Sequence, residues 1–164
     1  MLIFAYGSNL CMGRLKGRVP SARVVTVASL AGHALRFHKR SRLDGSGKAD
    51  AYETGRATDE VWGVVYEIDP AEKPDLDKAE GLGAGYDEKT VTLESDDGRE
   101  IVALAYVATD IDPDLVPYGW YKAHVVRGAR QHGLPEEYVR RIEVQASSDD
   151  PKQDRVRRER SVEC

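Results

Sequence analysis

The pentapeptide Tyr6-Gly7-Ser8-Asn9-Leu10 directly follows a short apolar segment, residues 1–5. This order predicts a strand that ends in a tight turn, because glycine adopts backbone conformations closed to most residues. Serine and asparagine favour turns and helix N-caps, so successive main-chain N–H groups can point at one anionic group. The turn is therefore a candidate binding site for a carboxylate or a phosphate.

A second candidate is Glu80, which stands just before a glycine-rich bend that contains Gly81, Gly83 and Gly85. A glutamate that faces a cavity can accept and return a proton, which is the work of a general acid/base. Position alone argues against this role, because a glutamate at a helix C-terminus is usually a solvated charge that the helix dipole disfavours. Glu80 at this position therefore needs a functional reason.

Other reactive side chains have simpler interpretations. Ser8 lacks the Gly-x-Ser-x-Gly elbow and an adjacent base, so a capping role is favoured over a nucleophilic one. Cys11 stands at a predicted helix start, where a thiolate is stabilised, but a lone cysteine is more often a small buried hydrophobe. The histidines show no His-x-x-x-His spacing, since His124 and His132 are eight residues apart. We expect no metal site.

The tyrosines have two interpretations. Tyr121 shares a helical face with Val125 and Ala129, and Tyr106 follows an alternating strand pattern, so both are expected first as core anchors. A phenol can also present its hydroxyl group to a ligand, so these residues stay candidates for a binding pocket.

Composition sets the broad class. A chain of 164 residues with 41% hydrophobic content can build one well-buried core, so we expect a single domain over residues 1–146. The tail, residues 147–164, is charged and has almost no apolar residue, which predicts that it is frayed or draped on the surface. A formal charge of -4 argues against a nucleic-acid partner.

The remaining composition bears on location. No apolar run reaches membrane-spanning length, and the N-terminus lacks the pattern of a signal peptide, so no membrane association is predicted. We expect a cytoplasmic protein. Its two cysteines, Cys11 and Cys164, are then expected to be reduced.

The elements that must position these residues are short. Strands are predicted at residues 1–5, 22–30, 33–37, 51–57, 60–68, 86–94 and 100–108. Helices are predicted at 9–16, 70–80, 118–132 and 135–144, the second of them capped by Asp69. Residues 51–57 and 60–68 are expected to form a strand pair, and Asp97-Gly98 predicts a hairpin. Residues 40–50, basic and rich in glycine, are predicted to be a mobile loop. This mixture favours an α+β fold with a mostly antiparallel, barrel-like sheet.

Five motifs, taken in order, resemble the gamma-glutamylcyclotransferases almost throughout the chain to about Ile142. They are Tyr6-Gly7-Ser8-Asn9-Leu10 after a strand, residues 59–65 (DEVWGVV), Asp77-Lys78-Ala79-Glu80-Gly81 followed by Tyr86, the segment from Tyr121-Lys122 to Gly128-Ala129, and residues 133–138 (GLPEEY). Each motif is weak alone, but the ordered set is specific.

The resemblance implies a mixed α/β fold around a small β-barrel, with short flanking helices and no metal or cofactor. It implies conversion of γ-glutamyl amides to 5-oxoproline with release of the amine. It also implies that Glu80 is the catalytic acid/base. The substrate-binding residues by this resemblance are Ile3, Phe4, Ala5, Tyr6, Gly7, Ser8, Asn9, Leu10, Tyr86, Tyr106 and Tyr121.

Several possibilities stay open at this point. The released amine can belong to an amino acid, a simple amine, an ε-lysine isopeptide or a γ-glutamyl-protected biosynthetic intermediate. A non-catalytic protein that binds γ-glutamyl or other small carboxylates is the alternative from another class, and a hydrolase that uses Cys11 is a third. The expected partner is a small-molecule γ-glutamyl substrate, bound by a monomer or a homodimer.

Overall fold

The computed structural model describes all residues, 1–164, and contains seven strands. They are β1 (Leu2–Ala5), β2 (Arg23–Ala31), β3 (His33–Arg40), β4 (Gly47–Glu53), β5 (Glu60–Glu67), β6 (Tyr86–Ser95) and β7 (Glu100–Ala108). Five of them form a closed barrel in the order β1-β5-β2-β6-β7, in which only the β1–β7 contact is parallel. The predicted small, mostly antiparallel barrel is confirmed.

The two remaining strands, β3 and β4, form a separate antiparallel sheet. The predicted pairing of residues 51–57 with 60–68 is therefore wrong. Strand β5 lies instead between β1 and β2, where Val61, Val64, Val65 and Tyr66 are fully buried. Side chains buried on both faces fit a central barrel strand better than one arm of a hairpin.

The prediction of a mobile loop over residues 40–50 is also wrong in part. Residues 47–50 begin strand β4, and Asp50 is only 2% exposed. Its carboxylate accepts hydrogen bonds from the main-chain N–H of Ala108 at 2.8 Å and lies 2.8 Å from Nε2 of His38. These bonds satisfy a buried charge, which is why this basic, glycine-rich segment is ordered.

Five α-helices complete the fold: α1 (Met12–Lys16), α2 (Lys73–Glu80), α3 (Gly119–Gln131), α4 (Glu136–Glu143) and α5 (Gln153–Arg160). Helix α2 follows a short 3-10 turn, Pro70–Glu72, which Asp69 caps as expected. It ends at Gly81, whose φ of 75° is the left-handed conformation that glycine tolerates. Glu80 is thus the last helical residue.

Helix α3 packs directly on the turn that follows β1. An added Cβ at Gly128 would lie 2.3 Å from the carbonyl carbon of Leu10 and 2.4 Å from the nitrogen of Cys11. Only glycine allows the helix to approach the turn this closely. The position of the turn is therefore determined by the helix behind it.

The C-terminal segment is ordered and lies on the surface with most of its residues exposed, so of the two predicted states only the frayed one is wrong. Helix α5 is preceded by the buried Asp150, whose carboxylate accepts hydrogen bonds from Trp120 and Arg155. Glu159 forms an ion pair with Arg14, and its carboxylate lies 3.2 Å from Nε2 of His124. These charged contacts, which are at least partly shielded from solvent, hold the segment in place although it has few apolar contacts.

The same segment overturns the expectation of reduced cysteines. Cys164 is joined to Cys11 by a disulfide bond, with the two Cα atoms 4.6 Å apart. The bond connects the chain's last residue to the start of helix α1. No helix in the structure is both long and apolar enough to cross a membrane.

Candidate active site

A pocket with a cavity volume of about 40 Å³ lies between the turn after β1 and the end of helix α2. Eleven of the twelve predicted site residues line it. They are Ile3, Phe4, Ala5, Tyr6, Gly7, Ser8, Asn9, Glu80, Tyr86, Tyr106 and Tyr121, and the sequence analysis missed a twelfth lining residue, Ala49. Segments far apart in the chain thus converge on one small cavity.

Leu10 is the exception. The structure buries its side chain completely in the core, away from the pocket lining, so only its main chain could take the predicted substrate-binding role. Its carbonyl oxygen lies 3.3 Å from the Tyr66 hydroxyl group and 3.0 Å from Nε2 of His132. The apolar end of the pentapeptide anchors the turn, and the polar middle faces the pocket.

Glu80 is the only carboxylate that lines the pocket. Its Oε1 atom accepts a hydrogen bond from Nδ2 of Asn9 at 2.8 Å and another from Nη1 of Arg18 at 2.7 Å. The same Nη1 atom donates to Oδ1 of Asn9 at 2.7 Å, which closes a triangle. Because both donors meet on Oε1, the second carboxylate oxygen of Glu80 is left without a hydrogen bond in the chain and can receive a substrate proton.

The tyrosines form a neutral wall around this carboxylate. Burial raises the pKa of Tyr6, Tyr86 and Tyr121 above the usual value near 10, so their hydroxyl groups stay protonated at neutral pH. Burial, followed by the hydrogen bond to Asp77, also raises the pKa of Tyr106. The pocket therefore presents a single carboxyl group, that of Glu80, among neutral phenol groups.

Two of these tyrosines are held by one residue of β4. The main-chain N–H of Ala49 donates to the hydroxyl oxygen of Tyr121 at 3.1 Å, and the Ala49 carbonyl oxygen accepts from the Tyr86 hydroxyl group. The Tyr6 hydroxyl group similarly donates to the carbonyl oxygen of Tyr106. Fixed main-chain partners hold the aromatic wall before any ligand binds.

The turn itself offers main-chain donors. Its internal hydrogen bonds run from the N–H groups of Leu10 and Cys11 to the carbonyl oxygens of Gly7 and Ser8, at 3.0 and 3.2 Å. Gly7 lines the pocket, and its N–H group takes no part in these bonds. An added Cβ at Gly7 would lie 2.9 Å from Cβ of Ala49, so glycine keeps this side of the pocket open.

One group of potential metal ligands lies outside the pocket: Cys11, His124 and Cys164, whose ligand atoms are within 4.8 Å of one another. Both sulfur atoms belong to the disulfide bond, so neither is a thiolate ligand. For the same reason Cys11 is not a free nucleophile, which removes the basis for a Cys11-dependent hydrolase.

Comparison with known proteins places this geometry in a family. The sequence model of the AIG2-like family matches residues 60–142. A Bos taurus gamma-glutamylcyclotransferase is 37% identical over 146 residues, which cover 86% of this chain and 76% of the relative. The Homo sapiens gamma-glutamylcyclotransferase is 34% identical over 148 residues, 87% of this chain and 77% of the relative. The chain belongs to the gamma-glutamylcyclotransferase family.

The three-dimensional fold agrees with this membership. A solved structure of a gamma-glutamyl cyclotransferase superimposes with a TM-score of 0.86 at 30% identity, over 96% of this chain and 98% of that one. The resemblance found in the motifs is thus confirmed at the level of family and fold. This member of the gamma-glutamylcyclotransferase family is an enzyme.

Two features of the gamma-glutamylcyclotransferase pocket escaped the sequence analysis. Arg18 pairs with Glu80, which lies 62 positions away in the chain. The one feature of the sequence that could have indicated this pair is the general need of a shielded carboxylate for a cation. Ala49 has an unreactive side chain and binds Tyr86 and Tyr121 through its main-chain groups. Because every residue type except proline has these groups, the sequence could not identify position 49 as part of the pocket.

Proposed function

We propose that the enzyme cyclises the γ-glutamyl group of a γ-glutamyl amino acid or amine to 5-oxoproline and releases the amine. The α-amino nitrogen of the substrate attacks its own side-chain amide carbon, a C–N bond closes the ring, and the original amide C–N bond breaks. Atoms and charge balance without a co-reactant. The products are 5-oxoproline and the free amine.

In this proposal Glu80 moves the proton. The substrate α-amino group is mostly protonated at pH 7 and must lose a proton before it can attack. Glu80 accepts that proton and later returns it to the departing amine nitrogen, acting as base and then as acid. Asn9 and Arg18 hold the carboxylate by one oxygen and so orient the other toward the substrate.

The turn completes the reaction site. Ring closure is intramolecular, so an enzyme that holds the γ-glutamyl chain bent supplies much of the acceleration. The N–H groups around Gly7 are suited to the substrate carboxylate or to the oxyanion that develops on the amide carbonyl. The neutral tyrosine wall excludes water and strengthens these interactions.

One observation carries the proposal: Glu80, the single carboxylate of the pocket, is hydrogen-bonded to Asn9 of the binding turn, 71 positions away in the chain. A shielded carboxylate is costly to a protein that only binds a small carboxylate, because it repels the ligand. The arrangement favours proton transfer over simple binding.

The test is release of 5-oxoproline from γ-glutamyl-alanine by the wild type and by Glu80→Gln. Glutamine keeps an oxygen acceptor for Asn9 and Arg18 but removes the proton-transfer function, together with the negative charge that pairs with Arg18. We expect kcat to fall by about 10²–10⁴-fold, the usual contribution of general acid–base catalysis.

The control is Asp75→Asn, which neutralises an exposed carboxylate on the same helix. We expect Asp75→Asn to retain wild-type turnover and Glu80→Gln to retain a wild-type circular dichroism spectrum. Wild-type kcat in Glu80→Gln would disprove the role of Glu80. Binding of γ-glutamyl dipeptides by the wild type without release of 5-oxoproline would favour the non-catalytic alternative.

A further inference from the structure

Outside the small pocket lies a wider cleft with a cavity volume of about 530 Å³. It is continuous with the pocket, because Ser8, Glu80, Tyr86 and Tyr121 line both. A γ-glutamyl group whose reacting amide lies beside Glu80 would leave its amine portion in this cleft. The chemistry of the cleft therefore bears on which amine is released.

The cleft is strongly cationic, although the chain as a whole carries a formal charge of -4. Eight cationic side chains line it: Arg14, Arg18, Lys39, Arg42, Lys48, Lys78, Arg155 and Arg158. The only carboxylates that line it are Asp44, Glu80 and Glu159. A cleft with this excess of positive charge concentrates anionic ligands.

Half of these cations are already neutralised by partners in the chain. Lys48 pairs with Asp44, Arg18 with Glu80, Arg14 with Glu159 and Arg155 with Asp150. The other four form no ion pair, and they are Lys39, Arg42, Lys78 and Arg158. Arg42, Lys78 and Arg158 are exposed at the cleft surface, whereas Lys39 is not.

Lys39 is the most informative of the four, because it is only 5% exposed. Its ammonium nitrogen has no hydrogen-bond acceptor in the chain and lies 4.5 Å from the ring centroid of Tyr86. Burial lowers the pKa of Lys39, which expresses the cost of holding this charge away from water. The nearby carboxylates of Glu80 and Asp110 favour the charged form, but neither lies within ion-pair distance, so an anion bound in the cleft would stabilise this ammonium further.

The backbone beside Lys39 makes room for this ammonium. Gly85 has a φ of 121°, and an added Cβ there would lie 2.8 Å from Cε and 3.1 Å from Nζ of Lys39. A side chain at position 85 would thus displace the lysine head. Glycine keeps the space that the ammonium occupies next to Tyr86.

We propose that the released amine carries at least two negative charges, as in a dicarboxylic amino acid or a phosphorylated amine. Lys39 binds the anionic group nearest the reacting amide, and Arg42, Lys78 and Arg158 bind the outer one. The inference rests on the proposed cyclotransferase function and adds the substrate class.

The experiment measures 5-oxoproline release from substrates that differ only in the leaving amine. γ-Glutamyl-glutamate and γ-glutamyl-glutamine have nearly the same shape but differ by one negative charge. We expect kcat/KM to be at least about 10-fold higher for the glutamate compound. This ratio should fall as the salt concentration is raised from about 20 to 500 mM, because dissolved ions screen the attraction between the cleft and the added carboxylate. A ratio near one at both salt concentrations overturns the inference.

A third substrate, γ-glutamyl-phosphoethanolamine, separates the two sources of anionic charge. A kcat/KM above that of γ-glutamyl-glutamate assigns the cleft to a phosphorylated amine, and a lower value assigns it to a dicarboxylic amino acid. Either order supports the proposal provided that both compounds exceed γ-glutamyl-glutamine.

Two sets of variants locate the charges. Arg42→Ser with Lys78→Ser is expected to bring the glutamate-to-glutamine ratio close to one. A control that removes two exposed charges outside the cleft, Lys16→Ser with Arg36→Ser, is expected to keep the wild-type ratio. If both double variants lower the ratio equally, the preference arises from the net charge of the protein and the assignment to the cleft is overturned.

Lys39→Met keeps the length of the side chain and removes its charge. We expect its KM for γ-glutamyl-glutamate to rise about 10–100-fold, as for loss of a charged hydrogen bond, with kcat much less affected. Lys39→Arg is expected to restore part of the affinity, which a purely structural role for Lys39 would not predict. An unchanged KM in Lys39→Met contradicts the role of this residue.

These outcomes differ from failure of the proposed function. If no γ-glutamyl compound releases 5-oxoproline, both the function and this inference fail. If release occurs without any preference for added negative charge, the function stands and only the inference is overturned.

Discussion

Gly128 links the fold to the candidate active site, because it allows helix α3 to lie against the turn that lines the pocket. An added Cβ would lie 2.3 Å from the carbonyl carbon of Leu10 and 2.4 Å from the nitrogen of Cys11, whereas ordinary contacts begin at 3.4 Å. Gly128→Ala therefore forces the turn and the helix apart by about 1 Å. The clashing atoms belong to the backbone, so no side-chain rotation can relieve the overlap.

The expected magnitudes follow from this displacement. Overpacking of a core costs about 1–3 kcal/mol, and the higher helix propensity of alanine returns up to about 1 kcal/mol. We expect a net loss of about 1–2 kcal/mol and a Tm lower by roughly 2–8 °C for a chain of this length. A shift of about 1 Å between the turn and Glu80 is expected to lower kcat/KM by about 100-fold.

The assay combines thermal unfolding with 5-oxoproline release from γ-glutamyl-alanine. Gly119→Ala is the matched control, because this glycine begins the same helix and an added Cβ would meet no atom within 4 Å. We expect the control to keep both properties of the wild type. If Gly128→Ala behaves like Gly119→Ala in both assays, helix α3 does not determine the position of the turn and the reasoning fails.

Two further predictions concern the C-terminal segment. The disulfide between Cys11 and Cys164 spans 153 positions, so Cys164→Ser or added dithiothreitol is expected to lower stability by about 2–5 kcal/mol; a wild-type Tm that reductant leaves unchanged would contradict this. Burial alone would raise the pKa of Glu159, but the hydrogen bond from His124 and the charge of Arg14 outweigh it and lower the pKa from 4.5 to about 2. Its stabilising effect is therefore complete above about pH 4.5 and is lost as the pH falls through about 2. The Tm difference between wild type and Glu159→Gln should disappear over that range, and a difference that persists at pH 2 would refute the assignment.

The sequence predicted those parts of the fold that depend on local signals. The β6–β7 hairpin, helix α2 with its cap at Asp69, and the helices α3 and α4 lie close to where turn residues and periodicity placed them. The partner of strand β4 could not be predicted in this way, because the burial of Asp50 depends on His38 and on a main-chain group 58 positions away. The order of the C-terminal segment could not be predicted for the same reason, because its charged residues pair with residues that are distant in the sequence.

The candidate site shows the same division. The binding turn and Glu80 were found separately, by turn chemistry and by resemblance, and the fold brings them within hydrogen-bond distance. Arg18 was missed because an arginine in the turn after a short helix has no sequence signal that reveals its partner. The motif treats five residues as one unit, so it could not predict that the side chain of its last residue, Leu10, lies in the core and not in the pocket.

Ala49 has a consequence for how this pocket can change through evolution. It holds Tyr86 and Tyr121 through its carbonyl oxygen and its N–H group, which every residue except proline possesses. Its methyl group is the part that borders the cavity. Substitution at position 49 can therefore change the volume of the pocket while Tyr86 and Tyr121 keep their main-chain hydrogen-bond partners. The shape of the cavity can thus evolve at this position without loss of the tyrosines that surround it.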